Sequence, residues 1–234
     1  MNTDHSPGRR RRPEAGEGRP RDRRRDPPKG YGRGDTDDPY DRILRAARRQ
    51  FATQGFDGTT MREIAFEAEV NLASIRYYFD SKSGLYFRVL QQVLGPLGPR
   101  ILWQSNRQVS PLIQIEGVVR EFFDHVRMNP DMPALMVREM ASGKDVSPPI
   151  AAMMKNSLPL LITMIANGQQ DGSIRAGDTT LLALSTLAQP VYLTLTRRAL
   201  TQVLGLDQED PAVHARTVEH AVTTIRAALE HRSP

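Results

Sequence analysis

The chain has 234 residues, with 32 Lys+Arg against 27 Asp+Glu, 39% apolar residues and no cysteine. That length fits one or two domains with a sizeable core, and the lack of cysteine excludes disulfides, thiolate zinc sites, iron–sulfur clusters and thiol redox sensing. The sequence reads as having no apolar run near 18 residues and no apolar stretch behind its basic N-terminus, so neither a transmembrane helix nor a secretory signal is expected, and the expected location is the cytoplasm.

Charge is unevenly spread. Residues 1–38 hold 11 Lys+Arg and 8 Asp+Glu, residues 39–94 hold 8 and 6, and residues 95–234 hold 13 and 13. The whole excess of +5 therefore lies in the first 94 residues, a front half suited to a polyanion on a neutral back half. Within 1–38 the apolar residues are Met1, Ala15 and Tyr31, beside six Gly, five Pro and ten Arg. So little apolar surface cannot offset the entropy of ordering, and a disordered tail is expected. Its arginines, clustered at Arg9–Arg12 and Arg23–Arg25, read equally well as a solubilising leader or a nucleic-acid arm.

Order is expected from Pro39, with Asp37 and Asp38 suited to a helix N-terminus. Ile43, Leu44, Ala47 and Phe51 keep a helical period that Gly55 stops. Thr60-Met61-Arg62-Glu63 has the form of a capping box and opens a short helix to about Ala68. Asn71 caps a second short helix, and Asp80-Ser81 caps a longer one from Lys82. Gly95, Pro96, Gly98 and Pro99 interrupt or kink that helix. Further helices are expected at about 111–128, 131–142, 148–170, 178–204 and 210–231, and no strand alternation is evident. Pro159 and Pro190 fall inside two of them and would bend them.

Residues 61–80 form a candidate helix-turn-helix. Ala65 is small enough for a close crossing, and Ile64, Ala68, Val70, Ile75 and Tyr78 supply apolar inner faces. Asn71, Ser74, Arg76 and Tyr77 would face outward, as a helix entering a major groove requires. Periodicity alone leaves open that the two helices merely pack in a bundle.

The runs Ile43-Leu44-Arg45-Ala46-Ala47, Gly55-Phe56, Thr59 to Ala65, Val70 to Phe79 and Ser81 to Tyr86 resemble the tetracycline-repressor (TetR/AcrR) family, over about residues 40–90. The resemblance implies an all-α protein: a helix-turn-helix domain at 39–85 and a helical effector-binding and dimerisation domain at 86–234. It also implies a homodimeric transcriptional regulator, usually a repressor, that leaves a palindromic double-stranded operator when a small apolar effector binds. By position, Thr60 and Lys82 would hold phosphates and Arg62 would read a base edge. Ser74, Arg76 and Tyr77 would touch bases or phosphates from a helix that Asn71 opens, and Leu72 and Ala73 would make apolar contacts. Two positions depart from the family: Glu69 stands where Gly is usual, and Arg76 where Tyr is usual.

Seven of nine methionines lie within 128–164, and flexible thioethers suit an adaptable pocket. Trp103, Phe122, Met136, Met140, Met154 and Tyr192 are its candidate lining. Glu121 and His125 read as a surface pair rather than metal ligands, and neither cofactor, metal, catalytic constellation nor membrane partner is expected. Apolar stripes at Leu184, Ala188, Val191, Leu195 and at Val218, Val222, Ile225, Leu229 are the expected dimer seam. The competing function is a helical ligand-binding or interaction protein that meets DNA only non-specifically, through its basic tail.

Overall fold

The computed structural model describes residues 38–143 and 145–231, so the Arg-rich tail lies outside the described residues save for Asp38. Eleven helices follow one another there: α1 (Pro39–Gly58), α2 (Met61–Glu67), α3 (Leu72–Phe79), α4 (Lys82–Leu94), α5 (Leu97–Ser105), α6 (Pro111–Met128), α7 (Met132–Met140), α8 (Pro148–Gln170), α9 (Thr179–Leu195), α10 (Arg197–Leu204) and α11 (Pro211–Leu229). An isolated antiparallel bridge between Ile174 and Glu230 is the nearest thing to a strand among the described residues.

Local chemistry accounts for most boundaries. The Asp38 carboxylate accepts from the Tyr40 amide at 3.0 Å, and Pro39 occupies a first-turn position whose missing N–H costs nothing. Gly55, at φ 77°, breaks the helical path without ending it, so the expected stop is a kink within α1. Gly95 and Pro96 keep right-handed helical angles, and the interruption expected there becomes a short joint between α4 and α5. Both α8 and α9 run through their internal prolines.

The helix expected over 178–204 is two helices, divided at Thr196. Two hydroxyls donate back to carbonyls one turn earlier, Thr194 to Pro190 at 3.0 Å and Thr196 to Tyr192 at 2.7 Å. Such bonds compete with the backbone ladder and loosen a helix.

One continuous core runs the length of the described chain. At its front, Ile43 and Phe51 of α1, Ile64 of α2, Ile75 of α3 and Leu85 of α4 are fully buried. It continues through Val89, Leu90 and Val93 to Ile115 and Phe123 of α6 and Ile150, Leu161 and Ile165 of α8. α5, α6 and α8 pack on one another, α9 lies on α8, and α7 bridges α1 and α9.

Two expectations need correction. Val218, Val222, Ile225 and Leu229 are buried within the chain, where α11 packs on α6 and α9, so this stripe is core and not a seam for a second copy. A helical apolar stripe reports burial but not which partner buries it. Secondly, α8 is long and apolar enough, by length and composition, to cross a membrane. Its Ile150, Leu161, Met164 and Ile165 face the core, and it packs against α4, α5, α6 and α9, which is the environment its apolar residues serve.

His125 is likewise not on the surface. It is 1% exposed, and its Nε2 lies 2.8 Å from the Val93 carbonyl at the end of α4. Burial pushes its pKa down, reinforced by the charges of Arg100 and Arg48 and opposed by the Val93 carbonyl and Glu121. The native ring therefore stays neutral where the unfolded chain's histidine, near 6.5 in its ordinary range, gains a proton. Stability contributed by this site is present above that pH and is lost as pH falls through the native value. Urea denaturation at successive pH values from 7.5 to 5.5 should show declining stability, with a slope from this one proton of at most about 1.4 kcal/mol per pH unit. His125→Gln should flatten that decline, whatever it costs in overall stability.

Candidate nucleic-acid interface

α2 and α3 have 7 and 8 residues, too few to persist in water unaided, and their geometry is set by caps above and core below. Thr60 Oγ1 accepts from the Glu63 amide at 3.2 Å, while the Glu63 carboxylate accepts from the Thr60 amide at 2.7 Å and its hydroxyl at 2.8 Å. Those hydrogen bonds, side chain first, hold the Glu63 carboxyl below its ordinary pKa, with Lys82 adding a smaller pull. Asn71 Oδ1 accepts from the Ser74 amide at 2.7 Å and the Ser74 hydroxyl at 3.0 Å, opening α3. Ser81 Oγ accepts from the Gly84 amide at 3.1 Å, opening α4. A side chain at Gly84 would run into the Phe79 carbonyl, so the close approach of α3's end to α4's start requires glycine there.

Beneath the caps, Ile64, Ala65 and Ala68 of α2 and Ile75 and Phe79 of α3 are buried, while Val70 and Tyr78 are half-buried. Tyr40 stacks on Phe79 at 5.0 Å between ring centroids and meets Tyr78 edge-on at 5.7 Å, tying α3 to α1. The turn between the helices needs Glu69 at φ 54°, and the turn after α3 needs Asp80 at φ 56°. The glycine-like conformation is thus kept at Glu69 without glycine.

On the other side lie the residues singled out from the sequence. Thr60, Arg62, Asn71, Ala73 and Arg76 are exposed, and Leu72, Ser74, Tyr77 and Lys82 are half-buried. The Arg62 guanidinium is in no hydrogen bond or ion pair among the described residues, which leaves its five donors for a ligand. Lys82 has its ammonium 4.6 Å from the Phe56 ring centroid and 3.4 Å from the Asp57 carbonyl, so it is held beside the start of α2. The Lys82 ammonium thus lies near enough to the α2 N-terminus to act on Glu63 of its capping box. Such an arrangement favours anions through unpaired backbone N–H groups, the helix dipole and the ammonium together. Tyr77 packs its ring edge-on against Tyr78 at 5.2 Å.

The candidate effector residues are not gathered into one enclosed cavity. Trp103 is 60% exposed in an open groove with Pro99, Arg100, Glu121, Asp124 and Met128, and the Arg107 guanidinium sits 5.6 Å from its ring. Phe122, Met136 and Met154 are half-buried against the core, whereas Met140 and Tyr192 are exposed. Glu121 pairs with Arg100 at 3.3 Å, and among the described residues no three His, Asp or Glu side chains gather for a metal.

Sequence reasoning missed the polar ties between α1 and α7, described below, and the exposure of Phe66 on α2, which is 89% accessible. Nothing local marks the ties, because their partners lie more than 80 residues apart. Phe66 does have a local signal, since it follows Arg62 by four and so shares its exposed face.

Two family descriptions match: "Bacterial regulatory proteins, tetR family" over residues 43–89 and "Tetracyclin repressor-like, C-terminal domain" over 111–225. The chain is 28% identical to the HTH-type transcriptional regulator RutR of Escherichia coli K12 over 195 residues, covering 81% of this chain and 90% of that protein. Its fold is similar to that of the fatty acid degradation regulator FadR of Bacillus halodurans, with TM-score 0.67 at 19% identity over 85% of this chain and all of that one. It is also similar to AibR, whose crystal structure holds isovaleryl coenzyme A and operator DNA, with TM-score 0.66 at 19% identity over 80% of this chain and 97% of that one.

Proposed function

The chain belongs to the tetR family of bacterial regulatory proteins and is a DNA-binding transcriptional regulator, and we propose that it is a homodimeric cytoplasmic repressor that leaves a palindromic operator when a small apolar effector binds. The observation that carries this reading is the exposed set on α2, α3 and the start of α4, where the unpaired Arg62 guanidinium and the Lys82 ammonium are available to DNA. We assign 39–85 to DNA and 86–234 to effector and partner. Arg62, Ser74, Arg76 and Tyr77 meet base edges and phosphates, Leu72 and Ala73 add apolar contacts, and Asn71 keeps the start of α3 in shape.

The dimer face is assigned to α8 and α9. Leu181, Leu184, Ala188, Val191, Tyr192 and Leu195 leave a long apolar row of α9 exposed, and Ala152, Asn156, Pro159 and Thr163 offer a narrow, small-residue face on α8. A contiguous apolar row of this length is uncommon on a monomer's surface. A two-fold dimer that binds a palindromic site would present its two recognition helices about one DNA turn apart, roughly 34–36 Å.

The function is tested by selecting bound sites from a random duplex pool and measuring variants on the selected operator. Lys82→Ala should weaken operator and random DNA alike, because a phosphate contact carries no sequence information. Arg62→Ala should instead relax preference at one base position, at roughly 1–3 kcal/mol if its contact is bidentate. Failure to select any site over random duplex would return the chain to a non-specific binder.

The oligomer assignment has its own test. Leu184→Glu should convert the dimer to a folded monomer by light scattering and circular dichroism, and weaken operator binding with it. Val222→Glu should unfold the chain instead, since it places a charge in the core. A Leu184→Glu variant that remains dimeric would place the seam elsewhere.

The effector is assigned to 86–234, where Trp103 is a natural reporter; small apolar compounds are the first probes, and a short acyl-coenzyme A, an apolar acyl group on a large charged carrier like the one AibR holds, is tested beside them. Binding should change Trp103 fluorescence and lower operator affinity about 5–150-fold, the usual range of coupling between sites. Fluorescence change with unaltered operator affinity would refute the coupling for that ligand.

A further inference from the structure

The turn between α6 and α7 is gripped from two sides. From α1, Arg48 Nε donates to Asp131 Oδ2 at 2.5 Å, and its Nη2 donates both to Asp131 Oδ1 and to Asn129 Oδ1, the latter at 3.1 Å. Both members of the ion pair are largely shielded, with side chains 23% and 22% exposed. From α10, Arg197 Nη2 donates to the Pro130 carbonyl at 2.5 Å. Asn129, Pro130 and Asp131 are therefore clasped between the helix that carries the helix-turn-helix and the helix that follows α9.

The grip also reaches the joint at the end of α4. Asn129 Nδ2 donates to the His125 carbonyl at 2.9 Å, and the His125 ring meets the Val93 carbonyl at 2.8 Å. α7 itself is fastened to the same front unit at two more points. Arg138 Nη2 donates to the Thr53 carbonyl at 2.6 Å, and the Tyr86 hydroxyl donates to Glu139 Oε2 at 2.6 Å.

We propose that Arg48 and Asp131 are positioning residues for operator recognition: their fork-to-fork pairing fixes the angle and reach of the helix-turn-helix relative to α9, and thereby the half-site spacing that the dimer accepts. This rests on the dimeric DNA-binding reading above. The chemistry suits the task. A planar guanidinium bound through two parallel N–H groups resists rotation as well as separation, which a single-point contact does not. The pair touches no base and no phosphate, so it acts on geometry alone. Displacing the recognition helix by one base pair's rise and twist changes the fit of a two-half-site complex and leaves a single half-site untouched.

The test uses the full-length dimer with Asp131→Asn and Arg48→Lys, each keeping size and removing the two-point pairing. Three duplex sets are compared: the selected operator, operators whose half-sites are one base pair closer or farther, and a single half-site. The unaltered protein should bind the altered spacings at least ten-fold more weakly than the operator. Each variant should lose about 5–30-fold on the operator, lose much of the discrimination between spacings, and bind the single half-site as before. The double variant should be no worse than either single one, as expected of two residues acting through one contact. Equal loss on operator and half-site would show that the pair merely supports the fold, and an unchanged spacing preference would remove the positioning role. If the unaltered protein selects no operator, the DNA-binding reading itself fails, and that outcome is distinct from both.

Discussion

Two helices of 7 and 8 residues cannot hold an orientation on their own, because a first helical turn costs more entropy than one hydrogen bond returns. Their placement depends on the floor of Ile43, Phe51, Ile64, Ile75, Phe79 and Leu85 beneath them, all 5% exposed or less. The caps at Thr60, Asn71 and Ser81 satisfy the backbone donors that so short a helix leaves over. The same capping that orders the helices also consumes part of the side chains that face outward. The Thr60 hydroxyl proton goes to Glu63 and that of Ser74 to Asn71. What the surface offers without rearrangement is then Arg62, Arg76 and the ammonium of Lys82, with hydroxyl oxygens that accept rather than donate.

The legible parts of this fold are those whose cause lies within four residues. The Thr60–Glu63 box and the Asn71 and Ser81 caps close over short loops, and the sequence pattern names them before the structure is known. The division of α9 from α10 was not legible. Thr194 and Thr196 sit in a strongly apolar run whose period continues past them, and only the hydroxyl back-bonds show where it breaks. Nor was the role of α11. Its stripe and that of α9 have the same spacing, yet one is filled by α6 within the chain and the other stays exposed. Arg48 and Asp131 are ordinary charges in sequence, 83 residues apart, and become a pair only through the packing of α7 on α1.

Apolar surface is divided between two uses in the back half. α8 contributes Ile150, Leu161, Met164 and Ile165 to the core, while its opposite face and the outer row of α9 are left to solvent in the single chain. Each exposed leucine-sized side chain is worth roughly 1.5–3 kcal/mol when fully buried. The row on α9 is already about half buried in the single chain, so burying the rest gains roughly half that per side chain, a part of the association entropy of two chains, estimated at 4–15 kcal/mol. The resemblance of α8 to a membrane span rests on length and composition only, since its outer face carries Lys155, Asn156 and Thr163 beside Ala152 and Pro159.

Glu69 and Asp80 stand at the two ends of α3 with φ of 54° and 56°. Such angles cost a residue with a side chain about 1–2 kcal/mol, and glycine would relieve that strain. Glycine would also release more conformational freedom in the unfolded chain, a difference of about 0.4–1 kcal/mol in the opposite direction. The strain is the larger of the two and leaves glycine favoured by about 1 kcal/mol, although both turns are held by backbone hydrogen bonds, the Val70 amide on the Ala65 carbonyl at 3.0 Å and the Asp80 amide on the Arg76 carbonyl at 3.0 Å. Backbone stability alone therefore favours glycine at these positions, and the acids stand there at a small cost. An acid also brings charge: two exposed carboxylates bracket the helix that exposes Arg76. On the interface proposed above they would lower the general attraction to phosphate without occupying the guanidinium groups assigned to bases, a bias towards discrimination over affinity.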